Sequence, residues 1–544
     1  MTAETIAEIP VHQSIAHALI DHGVDTVFGL MGDANLFIVD HYVRELGGRF
    51  VPAAHEASCV LMAMGYAHVS GRLGVATVTH GPAVTNCITP LVEAVRGHSP
   101  MVLLAGDTPA GYPRHTQNID QRELIKTTGA GFEQMRAPAT AAEDVARAFY
   151  RAEVERRPIV LNMPVDFMWE TTGHTARKLD VYTGARGAAE SDVFNDAVGM
   201  IASARRPLIL AGGGAAGARE QLIGLADRLE APLATTLKGK DLFRDHPYNI
   251  GFFGTLSSPA AYEVMAVADC IVCFGASLTD YTTDHGKLMK DKRVIQIDIE
   301  PGAIGGGLHP DAAIVADAGE AADKIRYWLD QAEAAPSGFT PELDPTRLTH
   351  YPVTASKTKD GRIDYVHALE RLEAALPEDR ILVTDVGRFM LEAWCRISVT
   401  GPQSFVPTTN FTSIGLGLQT AIGAGVAAPD RTVVLFSGDG GFMMGALTEF
   451  HNLVNLGMDC IVIIANDSSY GAEHIQFMRR QMDPGLSVLN WPNFTDLARA
   501  FGASSFKVDS EAELETALEG LRSRQGPVLI ELCLDPGDMP PPRV

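Results

Sequence analysis

Short apolar runs recur along the whole chain and alternate with longer amphipathic stretches. Continuous runs of Val, Ile and Leu, without strict alternation between apolar and polar residues, are typical of strands covered on both faces. Because helix-length segments separate the runs, the pattern predicts an α/β fold whose mostly parallel sheets are flanked by helices. The predicted strands include residues 25–30, 74–81, 100–107, 157–164, 206–213, 269–276, 292–299, 380–387, 432–440 and 459–467.

Two stretches without apolar runs divide the chain into segments. They are residues 176–191 and residues 332–362, and the second stretch is rich in Pro, Thr and Ser. A chain of 544 residues is also too long to fold around one hydrophobic core. We therefore predict three α/β domains, at residues 1–175, 192–335 and 361–540.

The charge and composition exclude several classes of protein. A net charge of -23 argues against nucleic acid or an anionic membrane as a partner. Apolar stretches such as residues 461–465 are far shorter than the roughly 18 residues of a membrane span, and Glu4 and Glu8 interrupt the N-terminus where a signal peptide would be apolar. The close pair Cys270 and Cys273 lies in an apolar run, which favours packed thiols over a zinc site. We expect a cytoplasmic globular protein, and an enzyme in particular.

Two of the apolar runs end abruptly in small and acidic residues. Residues 433–445 read VVLFSGDGGFMMG, and residues 461–471 read IVIIANDSSYG. Ligands of parallel sheets bind at the carboxyl ends of the strands, where glycine allows close approach and a helix N-terminus favours phosphate. Asp439 would repel a phosphate, so we expect a divalent cation between them, with a second oxygen ligand from Asn466 or Asp467. Two polar turns without a ligand are the alternative interpretation.

A GDG turn followed one strand later by an NN-like pair resembles the fingerprint of thiamine-diphosphate (ThDP) enzymes. Over nearly its whole length, the chain resembles the superfamily of acetolactate synthase, pyruvate oxidase and the 2-oxo acid decarboxylases. The resemblance implies an N-terminal pyrimidine-binding domain, a central domain and a C-terminal domain that binds the diphosphate and Mg²⁺. It also implies that the active site needs two subunits, so we expect at least a homodimer, and a homotetramer in particular.

The resemblance implies three Mg²⁺ ligands in the C-terminal domain. They are Asp439, Asp467 and the backbone carbonyl of Ser469. Counting forward from the GDG turn gives Asn466 as the second ligand, whereas counting back from Tyr470-Gly471 gives Asp467, which we prefer. The other residues implied to hold the cofactor are Gly387 and Arg388 in TDVGRFMLEAW, the bulky apolar Ile414 that bends the cofactor, Gly438, Gly440, Gly441, Tyr470 and Gly471.

A carboxylic acid in the N-terminal domain is implied to activate the aminopyrimidine of the cofactor. Glu56, in the stretch HEASCVLMAMGYA, occupies the place of this acid in the family. Its apolar neighbours would raise its pKa and keep a proton available near neutral pH. The alternative is an ordinary glutamate at a helix start.

Four residues bear on the reaction itself. His80 resembles a catalytic histidine of benzoylformate decarboxylase, and His115 resembles the second of two adjacent histidines in pyruvate decarboxylases. Gln117 fits the glutamine of the FQE motif of acetolactate synthases, and Glu473 has the spacing of the active-site glutamate of decarboxylases. We therefore predict a ThDP- and Mg²⁺-dependent lyase or ligase that decarboxylates a 2-oxo acid, followed by protonation or by carboligation to an aldehyde or ketone.

FAD is a less favoured cofactor. The central domain carries a formal GxGxxG pattern in residues 210–217, but residues 275–288 lack the arginine typical of FAD-binding members. The rival classes are an FAD-containing oxidase or synthase of the same superfamily and a non-catalytic ThDP-fold protein. The second class would be expected to lose Glu56 or Asp439, and both are present.

Overall fold

The computed structural model describes residues 5–178, 186–353, 361–445, 447–537 and 539. Within these ranges it contains three six-stranded sheets and one two-stranded sheet. Every strand pair in the six-stranded sheets is parallel. The predicted α/β fold with parallel sheets and flanking helices is therefore confirmed.

The N-terminal part of the chain forms the first sheet, with strand order β3-β2-β4-β5-β7-β6, and the antiparallel pair β1-β8. Its interior strands β4, β5 and β7 are buried along almost their whole length. The elements are β1 (Thr5–Pro10), α1 (Val11–Asp21), β2 (Thr26–Gly29), α2 (Leu36–Arg44), β3 (Arg49–Pro52), α3 (Glu56–Ser70), β4 (Gly74–Val78), α4 (Pro82–Thr85), α5 (Ile88–Arg96), β5 (Met101–Asp107), α6 (Gln121–Lys126), β6 (Gly131–Gln134), α7 (Ala141–Glu155), β7 (Pro158–Pro164) and β8 (Thr171–Thr175).

The central part forms the second sheet, with strand order β11-β10-β9-β12-β13-β14. Several of its helices begin at a residue whose side chain accepts a backbone N–H of the first turn, as Ser191 and Asp317 do. The elements are α8 (Asp192–Ala202), β9 (Pro207–Ala211), α9 (Arg219–Leu229), β10 (Leu233–Thr235), β11 (Asn249–Phe252), α10 (Pro259–Val267), β12 (Cys270–Phe274), α11 (Asp280–Thr283), β13 (Arg293–Asp298), β14 (Ala312–Val315) and α12 (Ala318–Gln331).

The C-terminal part forms the third sheet, with strand order β16-β15-β17-β18-β20-β19. The carboxyl ends of its neighbouring strands β15, β17 and β18 lie side by side at one edge. The elements are α13 (Tyr365–Ala375), β15 (Arg380–Thr384), α14 (Met390–Arg396), β16 (Phe405–Pro407), α15 (Gly417–Ala427), β17 (Thr432–Gly438), α16 (Asp439–Gly445), α17 (Leu447–Asn455), β18 (Cys460–Asn466), α18 (Gly471–Arg479), α19 (Phe494–Ala500), β19 (Ser504–Val508), α20 (Glu511–Arg522) and β20 (Val528–Cys533).

The first and third sheets share one hydrophobic core, in which α3 packs against α15. Two glycines allow this close approach of the two helices. A Cβ atom on Gly65 would overlap the carbonyl oxygen of Thr420, and one on Gly423 would overlap the carbonyl oxygen of Met62. The N-terminal and C-terminal parts of one chain are therefore in backbone contact.

Each six-stranded sheet lies within one of the predicted domains, and the boundaries themselves stay predictions. The predicted linkers 176–191 and 332–362 lie partly outside the described residues, at 179–185 and 354–360. Among the residues that the structure describes, no helix is both long enough and apolar enough to cross a membrane.

Candidate active site

Three aspartates lie at the carboxyl ends of neighbouring strands of the third sheet. Asp385 follows β15, Asp439 follows β17 and Asp467 follows β18. Because these strands are parallel neighbours, their carboxyl ends meet at the same edge of the sheet. The sequence pattern had pointed to the second and third of these aspartates.

Asp439 and Asp467 form a pair of buried carboxylates, which are only 3% and 6% exposed. Burial, and then the neighbouring charge of Asp467, raises the pKa of Asp439 to about 7. Burial also raises the pKa of Asp467, although its hydrogen bonds and the nearby Arg388 oppose the shift. Buried carboxylates are costly unless a cation or hydrogen bonds compensate them, so this arrangement fits a divalent cation.

The alternative metal ligands Asn466 and Asp467 are engaged differently. Asn466 Nδ2 donates to Glu531 Oε1 at 2.8 Å, and Asn466 Oδ1 accepts the N–H of Ser468 at 3.0 Å. Asp467 Oδ1 accepts the N–H and the hydroxyl of Ser469, at 3.0 and 2.9 Å. These contacts tie Asn466 to β20 and its own turn, whereas the charge of Asp467 acts on Asp439 and raises its pKa. The choice of Asp467 stays a prediction that this arrangement supports.

The ligand set predicted for Mg²⁺ consists of two carboxylates and one backbone carbonyl. Across the described ranges, no group of three or more His, Cys, Asp and Glu side chains could hold a metal ion. The buried Ser469 belongs to a turn in which Ser468 has a φ of 53°, an unusual value for a residue other than glycine. The turn that follows β18 therefore contains Asp467, Ser468 and Ser469 in succession.

Asp385 is a site residue that the sequence interpretation missed. Its carboxylate accepts the N–H of Val386 at 2.8 Å, the N–H of Gly415 at 3.0 Å and the hydroxyl of Ser437 at 3.2 Å. Burial raises the pKa of Asp385 to about 6, against the effect of these hydrogen bonds. The half-buried Ile414 directly precedes Gly415, so Asp385 anchors the predicted cofactor-bending loop to the GDG turn. A polar residue directly after a buried strand was the signal, as it was for Asp439.

The glycines after β17 allow neighbouring side chains to approach the backbone. A Cβ atom on Gly440 would lie 2.8 Å from the ring of Tyr470, and one on Gly441 would lie 2.7 Å from Asp385 Oδ2. Gly471 is similar, because its Cβ would lie 3.0 Å from Asp467 Oδ2. The structure thus brings most of the predicted cofactor residues to one place, with Gly438 next to them in the same turn.

Gly387 and Arg388 lie at the end of β15, next to this group. A Cβ atom on Gly387 would lie 2.5 Å from the ring of Phe389. The terminal nitrogens of Arg388 donate to the carbonyls of Pro536 and Met539, at 3.0 and 2.7 Å. The guanidinium is therefore occupied by the C-terminal segment, and its predicted contact with a diphosphate stays untested.

Trp491 also reaches this edge of the sheet, and nothing in the sequence had indicated it. Its indole Nε1 donates to Asp439 Oδ2 at 2.9 Å. Trp491 lies between α18 and α19, far from Asp439 in sequence. A lone tryptophan in a loop carries no pattern that could predict this contact.

Glu56 lies at the corresponding edge of the first sheet, at the start of α3. Its Oε2 accepts Asn86 Nδ2 at 2.9 Å, and the side chain is half-buried. His55 caps the helix by accepting the N–H of Ala57. Among the described residues, no hydrogen bond or ion pair joins Glu56 to Asp439 or Asp467 within one chain.

His80, His115 and Gln117 are brought together at the same edge. The rings of His80 and His115 have their centroids 5.3 Å apart, and the N–H of Gln117 donates to His115 Nδ1 at 3.2 Å. His80 is fully buried and Asp33 Oδ1 lies 3.4 Å from its Nε2. Partial burial raises the pKa of Asp33, but the Thr79 hydroxyl and the His80 ring outweigh it and lower that pKa. Asp33, which follows β2, is a second residue that the sequence interpretation missed.

Glu473 is not part of either group in the single chain. It lies in the first turn of α18 and is exposed. The next residue, His474, is buried instead, and its Nδ1 lies 3.2 Å from the hydroxyl of Ser487. The role of Glu473 as an acid stays a prediction.

The GxGxxG pattern of the central part is used for packing between backbone segments. Gly212 N–H donates to the carbonyl of Phe274 at 2.8 Å, and Gly214 N–H donates to the carbonyl of Gly275 at 3.2 Å. A Cβ atom on Gly212 would overlap the carbonyl oxygen of Gly275. This contact accounts for Gly212 and Gly214, whereas a Cβ atom on Gly217 would have no neighbour within 4 Å.

Comparison with known proteins identifies three family models along the chain. They describe the N-terminal TPP binding domain, the central domain and the C-terminal TPP binding domain of thiamine pyrophosphate enzymes, and they match residues 9–124, 194–325 and 385–532. The first match includes Glu56, His80 and His115, and the third includes Asp439 and Asp467.

Three curated relatives align with most of the chain. A sulfoacetaldehyde acetyltransferase of Rhodobacter capsulatus is 31% identical over 496 residues, which cover 85% of this chain and 82% of the relative. A probable 2-ketoarginine decarboxylase of Pseudomonas aeruginosa is 29% identical, with 96% and 93% covered. An acetolactate synthase large subunit of Parasynechococcus marenigrum is 30% identical, with 98% and 89% covered.

Proposed function

We propose that this chain, which belongs to the thiamine pyrophosphate enzyme family, uses ThDP and Mg²⁺ to break the bond between the carbonyl carbon and the carboxylate of a 2-oxo acid. The observation that carries the proposal is the pair of buried carboxylates Asp439 and Asp467 at neighbouring strand ends. The pair lies within the match to the C-terminal TPP binding domain.

The residues of the third sheet would hold the diphosphate end of the cofactor. Asp439, Asp467 and the carbonyl of Ser469 would hold Mg²⁺, which would bind the diphosphate in turn. Ile414, on the loop that Asp385 anchors, would support the middle of the cofactor. When bound, ThDP supplies a nucleophilic carbon and a sink for the electrons that remain after CO₂ leaves.

Glu56 would hold the proton that activates the aminopyrimidine. Within one chain, no described hydrogen bond or ion pair connects Glu56 with the carboxylate pair. In the family, the two halves of a site come from different subunits. We therefore infer a homodimer at least, and a homotetramer in particular, with each site formed by Glu56 of one copy and the carboxylate pair of the other. A cytoplasmic location is part of this proposal.

The first sheet supplies groups that can carry a proton close to the substrate. His80 lies beside Asp33 and His115, and Gln117 is hydrogen-bonded to His115. Such a group can deliver a proton after CO₂ has left, which gives an aldehyde. It can also hydrogen-bond the carbonyl of an acceptor aldehyde or ketone, which gives a carboligation product. The names of the relatives include a decarboxylase, a synthase and an acetyltransferase, so both outcomes have precedent among them.

Incubation of the purified protein with ThDP, Mg²⁺ and a panel of 2-oxo acids tests the proposal. We expect CO₂ release from at least one acid, together with an aldehyde or, when an acceptor aldehyde is supplied, a ligated product identified by mass spectrometry. The matched control is Glu56→Gln, which should bind the cofactor but turn over slowly. Absence of CO₂ release from every acid, with ThDP bound, would contradict the proposal.

A further inference from the structure

A short segment of the chain is fastened across the turn that follows β18. We call residues 484–491 the strap. The N–H of Tyr470 donates to the carbonyl of Ser487 at 2.9 Å, and the N–H of Leu489 donates to the carbonyl of Ser468 at 2.8 Å. An isolated antiparallel bridge also pairs Ser469 with Val488. The strap therefore covers the turn that carries two of the predicted Mg²⁺ ligands.

Among the described residues, the hydrogen bonds between the strap and other segments lie on the side that faces the turn and the neighbouring strand ends. Its Ser487 hydroxyl lies 3.2 Å from Nδ1 of the buried His474, at the start of α18. On the outer side, Leu486 is 90% exposed. Main-chain bonds to the turn and the contact of Ser487 with α18 thus help to hold the strap in place.

Trp491, at the end of the strap, connects it to a different strand. Its indole donates to Asp439 Oδ2 at 2.9 Å, at the end of β17. An indole N–H can only donate a hydrogen bond, so at this partly buried position it needs an acceptor, which is the carboxylate of Asp439. The bond to Oδ2 thus restricts the orientation of the Asp439 carboxylate. Carboxylate ligands of metals are commonly oriented by such hydrogen bonds from outer groups.

We propose that Trp491 is a positioning residue, whose indole N–H orients Asp439 toward a divalent cation and links the strap to the cation site. Cation binding and fastening of the strap then support each other, because a coupling between two sites is reciprocal. A cation fixes Asp439, and a fixed Asp439 gives the indole a defined acceptor. This inference rests on the proposed function and adds a residue to its cation site.

Trp491→Phe tests the first half of the proposal, because it removes the N–H and keeps an aromatic ring. We expect the dissociation constant of Mg²⁺, measured by calorimetric titration in saturating ThDP, to rise about tenfold, as is common when a group behind a metal ligand is lost. Turnover at saturating Mg²⁺ should change much less. Leu486→Ala is the matched control, because it alters the exposed side of the same strap, and it should leave Mg²⁺ affinity unchanged.

A second replacement separates the hydrogen bond from the shape of the side chain. 3-Benzothienylalanine at position 491 keeps the shape of the indole and replaces its N–H by sulfur. It should weaken Mg²⁺ binding as Trp491→Phe does. Wild-type affinity in this variant would show that only the shape matters, and would overturn the proposal even if Trp491→Phe folds poorly.

Hydrogen exchange tests the link to the strap. In the wild type, Mg²⁺ with ThDP should slow exchange of the amides of Tyr470 and Leu489, which are bonded within the strap and turn. In Trp491→Phe, this slowing should be largely lost at equal cation occupancy. If the slowing persists, the strap is not coupled to Asp439. If the wild type itself binds no Mg²⁺ and ThDP, the proposed function fails, whereas equal binding by wild type and Trp491→Phe contradicts only this inference.

Discussion

The carboxyl ends of the first and third sheets carry the two halves of the predicted cofactor site, and they are built differently. At the third sheet, Asp385, Asp439 and Asp467 are almost completely buried and are fixed by hydrogen bonds from neighbouring turns. At the first sheet, Glu56 is half-buried and has one hydrogen bond, from the exposed Asn86. The third sheet thus presents a closed and preorganised half, and the first sheet presents an open half.

This difference indicates which half of the cofactor site depends on a second chain. The carboxylate pair is buried within a single chain, where a cation would compensate its charge, so this half does not depend on a second chain. Glu56 is half-buried at the start of a helix, so another surface can still cover it. We therefore expect changes in the third sheet to affect cofactor binding, and changes in the first sheet to affect turnover.

The largest effect is expected from Asp439→Ala. The variant loses the buried carboxylate that would hold the cation, so the diphosphate would face the strand ends without its counter-charge. ThDP should be lost on gel filtration in Mg²⁺, whereas the wild type should retain it, as measured by the cofactor content of the protein peak. Full retention of ThDP by the variant would contradict the role of the third sheet.

Glu56→Gln should have the opposite profile. The amide keeps the hydrogen bond with Asn86 but cannot exchange a proton, so turnover should fall at least about a hundredfold. ThDP content and the melting temperature should stay close to those of the wild type. Near-normal turnover in steady-state assays would remove Glu56 from the mechanism.

A comparison of Asp467→Ala with Asn466→Ala determines which of these two residues binds the metal. Asn466 is bonded to Glu531, whereas the charge of Asp467 acts on Asp439, so the first variant should weaken Mg²⁺-dependent ThDP binding more, by about tenfold or more. Titration of ThDP at fixed Mg²⁺ measures both. The reverse order would make Asn466 the ligand.

Glu473→Gln tests whether a second copy completes the site next to α18, in the C-terminal part of the chain. Glu473 is exposed in the single chain, so a second copy could cover it and place it beside the substrate. If it does, aldehyde release should fall severalfold more than carboligation with a supplied acceptor, because protonation needs an acid and an acceptor brings its own electrophilic carbon. Gas chromatography gives the product ratio, and Gln476→Ala, an exposed change further along α18, is the control. Equal changes in both products would exclude Glu473 as the proton donor.

The smallest effect is expected in the pH dependence of stability without a cation. Burial raises the pKa of Asp439 to about 7, so the folded chain binds a proton there that the unfolded chain has already released. The stability from this group is therefore full below the ordinary pKa of aspartate and is lost as the pH rises toward 7.

Asp439→Asn should accordingly raise the melting temperature of the cofactor-free protein at pH 8 by several degrees, and it should have little effect at pH 5. Mg²⁺ should stabilise the wild type, and not the variant, at pH 8. Differential scanning fluorimetry measures both changes. Destabilisation by Asp439→Asn at pH 8 would show that the buried charge is compensated in the cofactor-free protein.

The interior of the fold was predictable from the sequence, and its edges were less so. Strands such as β5 and β18 are apolar along their length because neighbours and helices cover them, and the apolar runs at residues 100–107 and 459–467 predicted them. Four of the edge strands, β3, β6, β14 and β19, contain at most two buried residues each, so they give no continuous apolar run. Their positions follow from pairing with an interior strand that already exists.

The candidate site shows the same limit. Asp439 and Asp467 were found because each follows a buried strand, and Asp385 could have been found by that rule. Trp491 gave no such signal, and Asp33 lies four residues beyond the end of β2 and not directly after it, so the contacts of both depend on how distant segments fold back. Sequence patterns therefore found the residues fixed by a strand end and missed those that depend on long-range contacts.

The backbone contact between α3 and α15 limits how the two halves of this chain can be recombined with those of relatives. Gly65 leaves no room for a methyl group beside Thr420, and Gly423 leaves none beside Met62. A chimaera that joined the first half of one protein to the second half of another would need a glycine at both positions, or a compensating shift of a whole helix. A larger residue at either position would therefore disturb the packing of both halves, although the two glycines are far apart in the sequence.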